Sequence, residues 1–146
     1  TGARKRTLMG LRWGDLDLTK KQAFVERTKN DEPFVILLQD DVAFELAKLR
    51  GGALDEHLVF SGRYPFRPRQ FHSAFQAALA DAGIEGVVFH TLRHTHASWL
   101  AQKGVPLLAI AESMNHKTLA MTKRYAHLCI DSRAQMLRQV FGNGPA

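Results

Sequence analysis

One cysteine in 146 residues, Cys129, excludes an internal disulfide and with it any small secreted fold held by cross-links. A lone thiol suits a reducing cytosol, where it reads as a small buried or half-buried side chain. No apolar run approaches the roughly 20 residues of a membrane helix, and no signal peptide opens the chain. Internal repeats and low-complexity tracts are missing too. Acidic residues are in the minority, 14 Asp and Glu against 20 Lys and Arg, and the net charge of +6 favours a polyanionic partner such as nucleic acid. Apolar residues make up 45% of the chain, enough for the core of one ordinary globular domain. The first residue is Thr rather than Met, which leads us to expect a piece of a longer protein.

Residues 4–11 (RKRTLMGL) form a short helix with its apolar residues late. Residues 12–18 and 22–27 then alternate apolar and polar, and 34–38 (FVILL) is a short apolar run. Two polar connections of hairpin length, around Lys20 and at 29–32, make these three segments a small antiparallel meander. DDVAFELAKLRGG reads as a helix, with Asp40 or Asp41 as cap, Val42, Phe44, Leu46 and Leu49 on its apolar faces, and Gly51 and Gly52 as the stop. His57 to Phe60 is a candidate strand. Phe71, Phe75, Ala78, Leu79 and Ala82 recur at helical spacing up to Gly83; Phe89 to Gly104 is another helix; Pro106 opens a third. Residues 119–127 and 131–141 supply two more short helices. The class expected is α+β: mostly helical, with one three-stranded antiparallel sheet near the N-terminus. Trp13 and Trp99 are expected in the core.

The stretch FHTLRHTHASWLAQKG, Phe89 to Gly104, gathers His90, Arg93, His94 and His96 within seven residues. His90 and His94 are spaced i, i+4 and lie on one helix face, a spacing that two metal ligands can share. A zinc site needs a third ligand and usually a carboxylate base, and the sequence contains no HExxH. His94 and His96 read best as helix residues satisfied by hydrogen bonds or solvent. His90 and Arg93 belong to a wider set: TGAR at 1–4, TKN at 28–30, HTLRH at 90–94, NH at 115–116 and KRYAH at 123–127.

In this order and spacing the set resembles the catalytic domain of the tyrosine recombinases, the phage integrase family, over residues 1 to about 130. The resemblance implies the DNA breaking-rejoining fold and strand cleavage and rejoining on double-stranded DNA through a 3′-phosphotyrosyl link and a free 5′-hydroxyl. It also implies a reaction without ATP or metal, a homo-oligomer that is a tetramer on DNA, and a phage or mobile-element protein at work in the bacterial cytoplasm and nucleoid. The catalytic residues it implies are Arg4, Lys29, His90, Arg93, His116 and Tyr125. The residue types suit that chemistry. Attack on a phosphodiester builds negative charge on the non-bridging oxygens, which two guanidinium groups, Arg4 and Arg93, clamp in a planar, bidentate manner. A free tyrosine has a pKa near 10, so only about a thousandth is phenolate at pH 7. The nucleophile Tyr125 therefore gains from a positive pocket and a nearby base, with His90 as the base or proton shuttle. Lys29 would protonate the leaving 5′-oxygen, and His116 would donate a hydrogen bond to the phosphate.

The chain departs from the family pattern in three ways. The acidic residue that usually follows the first Arg is replaced, Arg6 and Thr7 standing in that region. The usual LGH is Met114-Asn115-His116, and because Asn tolerates positive φ, His116 is expected to keep its place. The N-terminal core-binding domain and the first helices of the catalytic domain are expected to be missing. Residues 1–146 would then be a partial catalytic domain with an apolar patch near Leu8 and Leu11, exposed or covered by another copy. A second reading is a catalytically poor DNA-binding or assembly fragment; a metal-dependent hydrolase is a distant third. Arg63, Arg67 and Arg69, interleaved with Tyr64 and Phe66, suit either DNA backbone contact or a solvated loop.

Overall fold

The computed structural model describes residues 1–26 and 33–142. The chain divides into two compact units, Ala3–Thr91 with Thr1, and Leu92–Ala146 with Gly2.

The first unit begins with helix α1, Lys5–Gly10, and a 3-10 turn, Trp13–Asp15. Strands β1 (Leu16–Asp17), β2 (Gln22–Val25) and β3 (Phe34–Leu37) follow and form an antiparallel sheet in the order β1-β2-β3. The meander expected from the alternation is therefore present, but its first strand is shorter. The Asp15 carboxylate accepts the Arg12 backbone N–H at 2.7 Å and closes the turn where a longer strand would have run. Register fixes the faces of the sheet. Ala23 pairs with Ile36, both buried, while Phe24 pairs with Val35 and both point to solvent.

The buried row packs with Ala3, Leu11, Trp13, Leu46 and Val59. Leu11 is 6% exposed and Leu8 packs against the same cluster, so the apolar patch expected near them is instead part of a core. Helix α2, Asp40–Arg50, supplies Leu46; its cap is Gln39, not Asp40 or Asp41, which fall in the first turn. Ala43 and Leu46 face inward, and Phe44 and Leu49 are exposed. Residues 57–60 form no strand. They are held by an isolated bridge from Leu58 to Arg12 and by hydrogen bonds from Trp13 N–H to the His57 carbonyl and from Val59 N–H to the Leu11 carbonyl. Helix α3, His72–Asp81, presents Phe75 to Phe89, ring centroids 5.6 Å apart.

Helix α4, Phe89–Gln102, runs from the first unit into the second. In the second unit its buried residues, Arg93, Ala97 and Ala101, recur every fourth position. Trp99 sits two positions from Ala97, about 200° round the helix, and is 67% exposed, so it is not the core residue the sequence leads one to expect. The small Ala97 and Ala101 let Ile110, Met114 and Tyr125 close against the helix. Helix α5, Leu107–Ser113, a 3-10 turn at Leu119–Met121, a 3-10 segment at Lys123–Cys129 and helix α6, Ile130–Phe141, complete this unit.

Helix α5 ends in a Schellman motif. Asn115 N–H bonds to the Glu112 carbonyl and His116 N–H to the Ala111 carbonyl, both at 2.9 Å, with Asn115 left-handed at φ 48°. Asn thus takes the conformation expected of it, and the two bonds fix the backbone of His116. Replacement by a β-branched residue should therefore cost stability. Asn115→Val is expected to lower the unfolding free energy by about 1–2 kcal/mol, and Asn115→Gly to leave it level or higher; urea unfolding of the two variants checks this.

Candidate active site

Arg93 is 5% exposed, an uncommon degree of burial for a guanidinium, and its geometry explains how that is tolerated. Nη1 donates to the Gly2 carbonyl at 2.5 Å and Nη2 to the Met114 carbonyl at 2.6 Å. Gly2 can accept because it is left-handed, φ 65°, and because it has no side chain: a Cβ there would run into the His96 ring. The Gly of TGAR is thus explained by backbone shape and close approach.

The other candidate residues of the second unit are joined to this anchor through a ring of contacts. Met114, held by Arg93, lies two residues before His116. The His116 Nδ1 is 2.7 Å from the hydroxyl of Thr122, which is fully buried. Tyr125 N–H donates to the Thr122 carbonyl at 3.0 Å, and the Tyr125 hydroxyl lies 2.6 Å from His94 Nδ1. His94 follows Arg93 on α4, and the circuit closes. Arg93, His116 and Tyr125 are therefore brought together.

Arg4 and His90 belong to the first unit, Arg4 half-buried at the N-cap of α1 and His90 exposed in the first turn of α4. Lys29 lies outside the described residues. Thr7 and Arg6 fall within α1, Thr7 half-buried and Arg6 exposed. The sequence reading left His94 as a helix residue satisfied by hydrogen bonds or solvent; the structure sets its Nδ1 beside the Tyr125 hydroxyl, 31 positions away, a contact that no local pattern signals.

Burial raises the Tyr125 phenol above its ordinary pKa of 10.0, while the charges of Arg124 and Arg93 pull it down. Burial likewise lowers the pKa of His96, and Arg93 adds to the effect. Among the described residues no three His, Cys, Asp or Glu side chains are gathered to hold a metal ion. In the first unit, the loop that carries Arg63, Arg67 and Arg69 is closed by a Ser61–Pro68 bridge. Arg67 lies over the Tyr64 ring, 5.6 Å from its centroid, and Tyr64 and Phe66 are each 58% exposed.

Residues 1–130 match the phage integrase family, and the chain belongs to it. It is 33% identical to the integrase of Salmonella phage P22, over 96% of this chain and 40% of that protein. Its fold is similar to the crystal structure of XerA recombinase, with a TM-score of 0.75 and 23% identity over 97% of this chain and 54% of the other. It is also similar to XerH site-specific recombinase bound to a palindromic difH substrate in a post-cleavage complex, TM-score 0.73, 21% identity, over 94% and 42% of the two chains. The chain spans less than half the length of the P22 integrase.

The His96 shift gives the pH dependence of this unit a sign. His96 binds its proton less tightly folded than unfolded, so its contribution to stability is complete above the ordinary value of 6.5 and is lost as pH falls through the depressed one. Between about pH 7.5 and 5 the unfolding free energy should fall on acidification, and less steeply in His96→Gln than in the wild type. Urea unfolding at several pH values measures both slopes.

Proposed function

We propose that the chain is a tyrosine-type recombinase catalytic domain, part of an integrase from a phage or other mobile element, that cuts and rejoins DNA through a 3′-phosphotyrosyl intermediate. The observation that carries the reading is the joining of Arg93, His116 and Tyr125 in one hydrogen-bonded circuit, in a chain that belongs to the phage integrase family. The DNA-bound state of the similar XerH recombinase supports duplex DNA as partner.

Arg93, oriented by two carbonyls, and Arg4 neutralise the non-bridging oxygens as the phosphorus becomes five-coordinate. Tyr125 is the nucleophile, His116 donates to the phosphate, His90 shuttles protons there, and Lys29 protonates the departing 5′-oxygen. The bond energy is kept in the phosphotyrosyl link, so rejoining needs no external energy source. Arg63, Arg67 and Arg69 contact the phosphate backbone. The working form is a homo-oligomer on DNA, a tetramer in the full-length protein, in the bacterial cytoplasm. Among the described residues no helix is long and apolar enough to cross a membrane.

The second reading, a catalytically poor DNA-binding fragment, is favoured by one feature: Thr7 stands near the place of the usual acidic residue. A covalent trap separates the two. On a duplex nicked so that a short 5′-hydroxyl strand diffuses away, the chain should form a protein–DNA adduct at low salt. Tyr125→Phe should abolish it, Arg4→Ala should reduce it by at least about tenfold, and Thr7→Glu should raise it. Adduct surviving in Tyr125→Phe sinks the nucleophile assignment; no adduct from the wild type favours the second reading.

Two changes of condition give further expected outcomes. Addition of EDTA should leave the adduct yield unchanged. Binding to unnicked duplex should weaken steeply with salt, by about 0.9 log units per decade of salt for each phosphate contacted; a titration series on random-sequence DNA supplies the slope.

A further inference from the structure

Tyr125 is 5% exposed, so a phenol at this position has little bulk water beside it and calls for a proton acceptor that the protein itself provides. His94 is in place for that. The Nδ1–hydroxyl distance of 2.6 Å lies within the reach over which a base takes a proton, and the two rings sit 6.1 Å apart, centroid to centroid, tilted by 45°. The backbone on both sides is fixed. His94 lies in the middle of α4, one residue from the anchored Arg93, and Tyr125 is held by its N–H bond to Thr122.

Resting on the recombinase reading above, we propose that His94 is a catalytic residue: the base that accepts the phenolic proton of Tyr125, its own ring proton being on Nε2. As a lone pair of the phenolic oxygen bonds to phosphorus, the O–H bond breaks and the proton passes to Nδ1 of His94. The bond from phosphorus to the 5′-oxygen breaks with its electron pair on that oxygen, which is protonated by the Lys29 ammonium. Rejoining runs the same transfers in reverse, the 5′-hydroxyl returning its proton to Lys29 and His94 returning its proton to the phenol. The charged groups bearing on Tyr125 are Arg93 on α4 and Arg124 in the 3-10 segment. Both are cations and resist a lasting imidazolium, so the proton is readily given back. His90 is left to the phosphate.

His94→Asn separates the base from the hydrogen bond, since an amide oxygen accepts the phenolic O–H but does not take its proton. With folding verified by circular dichroism, this variant should bind nicked duplex as the wild type does and form adduct at least about 100-fold more slowly. A substrate with sulphur in place of the bridging 5′-oxygen has a leaving group that needs no proton. It should restore Lys29→Ala and leave His94→Asn slow. A rate within about threefold of wild type for His94→Asn, or its recovery with the sulphur substrate, would overturn the assignment.

Long-range 15N NMR provides a measurement independent of catalysis. Nδ1 of His94 should be unprotonated in the free protein and its signal should move in Tyr125→Phe; a protonated Nδ1 overturns the proposal. A wild type inert in the trap defeats the recombinase reading and this one together, whereas an active wild type beside an equally active His94→Asn defeats this one alone.

Discussion

A cation taken almost wholly out of water costs several kcal/mol unless its donors are satisfied, and the second unit is built round one that is. The two carbonyls that receive Arg93 come from segments far apart in sequence, Gly2 and Met114. Each is presented by a left-handed residue, Gly2 itself and, one position beyond Met114, Asn115. Two backbone conformations that most side chains avoid are thus held in place by one guanidinium. The planar fork matters as much as the charge, since a lysine ammonium would meet two such carbonyls without a fixed angle between them.

The same anchor ties segments of separate motifs to one another. An arginine whose Nη1 and Nη2 both donate to backbone carbonyls has a fixed plane, and the two segments that carry those carbonyls are fixed with it. His116 benefits at second hand, because the turn that carries it starts at Met114. Substitution of the family's usual glycine by Asn115 leaves that turn intact, whereas Thr7 lies within a helix, where backbone conformation places no comparable demand on residue type.

Much of this was legible in the sequence, for identifiable reasons. Helices α3 and α4 were legible because apolar spacing of three and four ends at a glycine that turns out left-handed, Gly83 and Gly104. The hairpins were legible from alternation and polar connections. The first strand was not, because a local hydrogen bond from Arg12 to the Asp15 side chain competes with the ladder. In FVILL every residue is apolar, so only the pairing of Ile36 with Ala23 tells which face is buried. Trp99 misled because size and hydrophobicity suggest a core, while the helix puts alanines on its packed side. Among the candidate residues, Arg93, His116 and Tyr125 were read from their motifs. The link from His94 to Tyr125 joins residues 31 positions apart, and no local pattern encodes it.

The two tryptophans differ in a way that has optical meaning. Trp13 is 3% exposed in the first unit and Trp99 is 67% exposed in the second. An indole in an apolar setting emits at shorter wavelength than one facing water, and only the latter is readily reached by a soluble quencher. The emission of the intact chain is therefore a sum of a blue, shielded component and a red, quenchable one. A Phe in place of either tryptophan leaves a spectrum that reports on one unit alone.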